Sequence, residues 1–242
     1  MKRAVIFDLD GTICNTLEDL ALCTNDALAQ LGLPGHPVED YRYIVGNGVE
    51  KQMQRALTEA HYTPERAARL KVLFKEVYAR RWMEHTRPYD GMLPALEELR
   101  QQGYLLGVCT NKPDEFAQEM VRHCFGSLFS LICGNRPGIP VKPDPTLLRQ
   151  MLDTLGVPPE GCLYCGDSCV DMQTARAAGV CSVGVLWGFR PQKELEENGA
   201  VFLAQTPSEL PELARRFAEG DISKFSTCAD GAFSTRPGEG RL

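Results

Sequence analysis

Two aspartates close a short apolar run near the start of the chain, in the order Phe7-Asp8-Leu9-Asp10-Gly11-Thr12. Side chains two apart on a strand share a face, so Asp8 and Asp10 are predicted to converge at the strand's carboxyl end. Open α/β sheets bind their ligands at such ends, and Gly11 allows a sharp turn there. Two carboxylates this close repel unless a cation lies between them or one keeps a proton. A divalent metal at one and a proton on the other satisfies both. The plainer alternative is an acidic turn after a strand.

Three further clusters have the same character. Thr110-Asn111-Lys112-Pro113 follows an apolar run. A hydroxyl, an amide and the free N–H groups of a helix start suit phosphate oxygens, although an ordinary helix cap uses the same residues. Val141-Lys142-Pro143-Asp144-Pro145 sets a lysine just ahead of a helix start. An ammonium is unfavourable at the positive end of a helix dipole unless an anion sits between them; a solvated surface lysine is the alternative. Gly166-Asp167-Ser168-Cys169-Val170-Asp171 places Asp167 at a strand end and Asp171 four residues on, along one face of the next helix. Acidic first turns are also common for dipole reasons alone. Together the clusters supply four carboxylates (Asp8, Asp10, Asp167, Asp171), a phosphate-sized donor group (Thr110, Asn111) and a cation (Lys142). Hard oxygen ligands with open positions suit Mg²⁺, which favours a few carboxylates plus water and a phosphate.

The elements that must position these residues are short apolar runs alternating with longer amphipathic stretches. Residues 4–9, 105–109, 128–133, 162–165 and 181–186 read as strands covered on both faces. Helical patterns lie between them. Leu93, Leu96 and Leu99 recur near one helical turn over 91–102, and Gly103 stops the pattern. Asp144-Pro145 offers an N-cap and a first-turn proline, followed by a stripe of Leu147, Leu148, Met151, Leu152 and Leu155 that ends at Gly156. The alternation predicts an α/β fold with a doubly wound, Rossmann-like parallel sheet. The first strand breaks the rhythm, because residues 15–85 contain no convincing strand. Leu17, Leu20, Ala21, Leu28 and Leu31 form one helix face, a second long helix runs over 64–82, and residues 45–48 make a loop between helical pieces. The expected organisation is a core of residues 1–14 and 86–219, an inserted helical cap over 15–85, and a flexible C-terminal tail over 220–242, rich in Gly, Ser, Thr and charge.

Composition excludes other classes. The chain has 242 residues, 43% of them hydrophobic and 24% charged, which is globular composition with room for a sizeable core. A net charge of −6 argues against a bulk electrostatic grip on nucleic acid or anionic lipid. No apolar run approaches the ~20 residues that span a bilayer. The ten cysteines, from Cys14 to Cys228, read as reduced thiols of a cytoplasmic protein. Cys162 and Cys165 fall three apart on one strand and so on opposite faces, with no second CxxC or His pair to complete a zinc site.

The motifs Asp8-Leu9-Asp10-Gly11-Thr12, Thr110-Asn111, Lys142-Pro143 and Gly166-Asp167-Ser168 with Asp171 resemble those of the haloacid dehalogenase superfamily. Val45-Gly46-Asn47-Gly48-Val49, Thr110-Asn111-Lys112-Pro113, Leu155-Gly156-Val157 and Ala175-Arg176-Ala177-Ala178-Gly179 resemble its phosphoglycolate phosphatase-like branch. The resemblance implies an Mg²⁺-dependent phosphatase for a small phosphate monoester, 2-phosphoglycolate first, working through an aspartyl-phosphate. It makes Asp8 the nucleophile and Asp10 the general acid and base. It assigns Mg²⁺ to Asp8, the Asp10 carbonyl and Asp167, and phosphate oxygens to Thr110, the Asn111 backbone and Lys142. Asp171, with Ser168 beside it, would orient Lys142 or a metal-bound water. The insertion becomes a mobile cap hinged near 14–17 and 87–91, with Arg42, then Lys51 and Arg55, as readers of an anionic leaving group. The expected partner is a small phosphate ester, not nucleic acid or membrane, for a monomer or homodimer. Asn15 departs from the acidic residue that related phosphatases often carry there, which predicts altered cap contacts. The alternatives are a β-phosphoglucomutase-like phosphomutase and, more remotely, a pyrophosphatase or a metabolite-binding protein without catalysis. A dehalogenase or phosphonate hydrolase fits poorly, because those branches lack an acid at the position of Asp10.

Overall fold

A computed structural model describes residues 1–220. The predicted tail, from residue 221 on, and Cys228 lie outside the described residues. Strands β1 (Ala4–Phe7), β4 (Leu105–Pro113), β5 (Leu131–Asn135), β6 (Cys162–Gly166), β7 (Cys181–Val185) and β8 (Phe202–Ala204) form one sheet in the order β5-β4-β1-β6-β7-β8. Every neighbouring pair in it is parallel. The apolar runs become strands because helices cover both faces. On one side pack α6 (Met92–Gln101), α7 (Asp114–Phe125) and α11 (Leu210–Ala218). On the other lie α8 (Thr146–Leu155) and α9 (Cys169–Ala178), against Ala4, Ile6, Cys162 and Tyr164. The short helix α10 (Gln192–Glu197) lies between β7 and β8 in the chain. The doubly wound sheet predicted from the alternation is the one observed.

Between β1 and β4 the chain makes a helical excursion. It leaves through β2 (Cys14–Asn15) and returns through β3 (Arg87–Pro88), which pair antiparallel. Between them run α1 (Leu17–Gln30), α2 (Tyr41–Ile44), α3 (Val49–Ala56), α4 (Thr58–His61) and α5 (Pro64–Arg81). Helix α5 starts as its sequence requires: Thr63 Oγ1 accepts the Arg66 N–H, and Pro64 takes the first turn. At the return point the buried Asp19 carboxylate accepts the N–H groups of His85 and Thr86, at 3.0 and 2.8 Å through Oδ2. Asn15 is exposed, and its Oδ1 accepts the Leu17 N–H at 3.4 Å, at the start of α1.

Several boundaries differ from those expected. Strand β1 stops at Phe7, and the Leu9 carbonyl accepts the N–H groups of Thr12, Ile13 and Cys14. A tight turn, not strand periodicity, therefore brings Asp8 and Asp10 together. The apolar run 128–133 begins too early: Phe129 is a loop residue packed edge-on against Phe7 and Phe125, and β5 opens at Leu131. Thr110 and Asn111 lie within β4, inside an irregularity in its pairing between Cys109 and Pro113, not at a helix start, since α7 opens at Asp114. Helix α8 opens at Thr146, whose N–H bonds Asp144 Oδ1 at 2.9 Å, so Pro145 takes the cap position expected of Asp144.

Candidate active site

The register of the three central strands assembles the site. Phe7 pairs with Val108 on one side and Cys165 on the other. The residues beyond this register, Asp8, Thr110 to Lys112 and Asp167, therefore gather along one edge of the sheet, where they line a common cleft. Asp8 is anchored through its N–H to the Cys165 carbonyl at 2.9 Å. Gly11 has φ +83° and lies so close to Asp167 that an added Cβ would overlap the carboxylate. Only glycine satisfies both the backbone and the approach.

Lys142 is the centre of this arrangement. Its Nζ lies 2.9 Å from Asp8 Oδ1, 2.8 Å from Asp171 Oδ1 and 2.9 Å from the Tyr164 hydroxyl. The Tyr164 hydroxyl itself donates to the Cys109 carbonyl at 3.1 Å. Asp171 serves two masters: its Oδ2 accepts the Ser168 N–H at 3.1 Å and hydroxyl at 2.7 Å, which caps α9, while Oδ1 faces Lys142. Asp171 thus both caps its helix, a role the sequence reading did not name, and faces the Lys142 charge. The Asn111 side chain grips the Lys142 backbone, accepting its N–H at 2.8 Å and donating to its carbonyl at 3.1 Å. Thr110 is buried and accepts the Lys112 N–H at 3.2 Å. Asp167 accepts the Phe189 N–H at 2.7 Å through Oδ2 and the Thr12 hydroxyl at 3.3 Å through Oδ1. Asp10 pairs with Lys112, Nζ to Oδ1 at 2.9 Å.

One oxygen each of Asp8, Asp167 and Asp171 lie within 4.8 Å of one another, an acidic cluster that could hold a metal ion. Asp8 Oδ1 is buried and makes no hydrogen bond, its contact with Lys142 being off the hydrogen-bonding directions. A buried carboxylate oxygen without a hydrogen bond, among hard oxygen donors, fits a divalent cation.

A family model for haloacid dehalogenase-like hydrolases matches residues 5–185. The chain belongs to the haloacid dehalogenase-like hydrolases. It is 37% identical over 194 residues to the phosphoglycolate phosphatase of Mannheimia succiniciproducens, covering 77% of this chain and 87% of that protein. It is 33% identical over 237 residues to the phosphoglycolate phosphatase of Pseudomonas putida, covering 96% and 82%. Among solved structures, a protein from Lactobacillus delbrueckii subsp. bulgaricus superposes with a TM-score of 0.84 at 35% identity, covering 88% of this chain and 99% of that one. CbbY from Rhodobacter sphaeroides, solved in complex with phosphate, superposes with a TM-score of 0.74 at 26% identity, covering 87% and 96%.

Burial sets the electrostatics of this haloacid dehalogenase-like site against charge on its carboxylates. Burial first, then the Asp171 and Asp10 charges, push the Asp8 carboxyl up to about 6 although Lys142 pulls it down. Burial, with Asp171 and Asp8, pushes Asp167 up to about 8. Lys142 is raised despite its burial, because Asp171 and Asp8 outweigh the desolvation.

Not every anticipated residue joins the site. Arg42 does not line the cleft; it donates to Glu39 Oε2 at 2.8 Å and to the Gly188 carbonyl at 3.1 Å. Lys51 is exposed and bonds Gln54, and Arg55 braces the 43–47 loop through its carbonyls and Asn47. Sequence reasoning missed Lys112, Tyr164, Tyr78 and Arg190. Lys112 carried a usable signal, since it sits two residues past Thr110 on an extended chain. Tyr164 sat unread inside an apolar strand, and Tyr78 inside a helix face.

All nine cysteines among the described residues are free thiols. Cys162 and Cys165 pack into different clusters on the two faces of the sheet, as their spacing predicts. No helix among the described residues is long and apolar enough to cross a membrane.

Proposed function

We propose that the chain is a metal-dependent phosphatase that hydrolyses a small phosphate monoester, with 2-phosphoglycolate the leading substrate, through an aspartyl-phosphate on Asp8. The single observation that carries this reading is the Lys142 ammonium, buried between Asp8 and Asp171 and clamped by Asn111 at the mouth of the sheet. A phosphate dianion approaching an ionised carboxylate is repelled by about 1 kcal/mol per charge pair at 4 Å in water, and about four times that at an effective dielectric of 20. A fixed ammonium beside the carboxylate is what reverses the sign.

Asp8 attacks phosphorus in line, splitting one hard displacement into two. Lys142 and the Thr110 hydroxyl hold phosphoryl oxygens, with the Asn111 N–H as a third donor. Asp10 protonates the departing alkoxide and then deprotonates the water that cleaves the acyl phosphate. Asp8, Asp167 and the Asp10 carbonyl would hold Mg²⁺, which supplies charge neutralisation at the phosphoryl oxygens when bound. Residues 15–85 act as a cap that excludes water and reads the leaving group, and the chain works in the cytoplasm as a monomer or homodimer. Similarity to phosphoglycolate phosphatases, at 30–37% identity over most of the chain, supports the substrate class.

Phosphate release from a panel of small esters, with Mg²⁺ and with EDTA, tests this reading. Turnover that survives EDTA or Asp8→Asn would sink it. Isomerisation of a sugar phosphate without net phosphate release would instead favour the phosphomutase alternative.

A further inference from the structure

A second lysine is buried in the same cleft, and the chemistry described so far does not use it. Lys112 Nζ lies 2.9 Å from Asp10 Oδ1 and 2.7 Å from the hydroxyl of Tyr78, and 4.9 Å from the centroid of that ring. Its side chain is 3% exposed. Tyr78 comes from α5 of the insertion, stacked on Phe74 and set edge-on against Phe116, with both ring centroids 5.2 Å away. Lys112, Tyr78, Asp10, Leu20, Phe74 and Phe116 all face the cleft. An ammonium in such apolar surroundings is costly unless anions balance it. Lys142 has two carboxylates within 3 Å. Lys112 has one carboxylate and a phenol.

We propose that Lys112, held by Tyr78, is the specificity-determining residue that binds a carboxylate on the leaving alcohol. This deepens the phosphatase reading and rests on it, because that reading puts the leaving oxygen beside Asp10. A group one or two bonds beyond that oxygen then falls against the Asp10-bound ammonium. An ammonium and a phenolic hydroxyl 2.7 Å apart offer one donor to each carboxylate oxygen. Arg190 also lines the cleft, with a buried Nη1 that has no hydrogen bond, but Glu194 at 3.4 Å already balances its charge, Nη2 donates to the Val45 carbonyl at 3.3 Å, and the guanidinium lies 4.7 Å from the Tyr43 ring centroid. Lys75 is exposed, and Arg42 is held by Glu39 and Gly188.

The test compares 2-phosphoglycolate with ethyl phosphate, which has the same number of carbons and a neutral leaving group. In Lys112→Met the ratio of kcat/KM for the two esters falls about 100-fold, and the loss for 2-phosphoglycolate is carried mainly by KM. In Tyr78→Phe, which preserves the packed ring, the ratio falls about 10-fold. Tyr78→Phe also decides the matter if Lys112→Met does not fold. An unchanged ratio, with both esters losing equally, would overturn the assignment and reduce Lys112 to a support for Asp10. Calorimetric binding of 2-phosphoglycolate and of ethyl phosphate to the wild type and to each variant asks the same question without turnover. Affinity for 2-phosphoglycolate lost selectively in the variants sustains the role of Lys112. A wild type that binds 2-phosphoglycolate but releases no phosphate from any ester in Mg²⁺ would refute the phosphatase reading while the binding data still judge Lys112.

Discussion

The side-chain amide of Asn111 pairs with the main chain of Lys142 as a neighbouring strand would, Oδ1 to N–H at 2.8 Å and Nδ2 to carbonyl at 3.1 Å. The ammonium at the centre of the site is therefore positioned from a different strand loop, 31 residues away in sequence. The same Nδ2 reaches the Gly46 carbonyl of the insertion at 3.3 Å. Asn111→Ala is expected to leave both Lys142 backbone groups unpaired, costing roughly 1–3 kcal/mol of stability. It should also lower kcat about 100-fold, as a misplaced phosphate-binding group does. Urea denaturation and steady-state kinetics measure the two effects separately.

Without metal, the protein should lose stability as pH rises. Asp8 and Asp167 sit at about 6 and about 8 in the folded state, above the value near 4 they take when unfolded. Between these limits the folded chain binds more protons than the unfolded one, so unfolding free energy declines with pH, by the order of a few kcal/mol in total. Thermal melts in EDTA from pH 5 to pH 9 should show Tm falling. Added Mg²⁺ should raise Tm more at pH 9 than at pH 5, because bound cation and bound proton compete for the same carboxylates. A metal effect independent of pH would contradict this.

Asp8→Asn separates chemistry from folding. Replacing the proposed nucleophile should remove turnover by a factor of about 10⁴ or more, since no covalent intermediate would form. The variant also removes a carboxylate whose charge burial disfavours, so metal-free Asp8→Asn should melt above the metal-free wild type at pH 8. Phosphate release and calorimetry on the same preparation check the opposed signs.

Asp19 behaves in the opposite sense. Its burial raises the carboxyl, but hydrogen bonds from Thr86 and His85 outweigh that and hold it below its ordinary value. The stability it contributes is present above the unfolded value near 4 and fades as pH falls through the lower folded one. Asp19→Asn turns one acceptor oxygen into a donor facing N–H groups, and should cost roughly 1–3 kcal/mol at pH 7. The gap between variant and wild type should narrow toward pH 3 in urea titrations.

Much of the core was legible because of how a buried parallel sheet is written. Runs such as Ala4 to Phe7 and Cys181 to Val185 are apolar on both faces and bounded by helical periodicity. The acids at the strand ends were legible for the same reason, since the end of each run locates the sheet edge. What escaped depended on contacts between distant parts of the chain. The Lys112–Tyr78 bond joins a strand end to a helix 34 residues earlier, and Tyr78 is indistinguishable in sequence from the core residues Phe74 and Val77 around it. Arg42 misled because its charge is visible in sequence while the Gly188 carbonyl that absorbs it is not. Asp8 and Asp10 converge as expected, but through a turn whose geometry Gly11 sets and alternation does not.

The divided use of Asp171 limits how this scaffold can change its trade. One oxygen secures the first turn of α9 and the other anchors the ammonium beside Asp8. Any substitution there that retunes the electrostatics also frays a helix at the heart of the sheet. Drift toward new substrates would therefore fall to those side chains of the excursion between β1 and β4 that, unlike Tyr78 and Asp19, fasten nothing at the sheet edge or the return point.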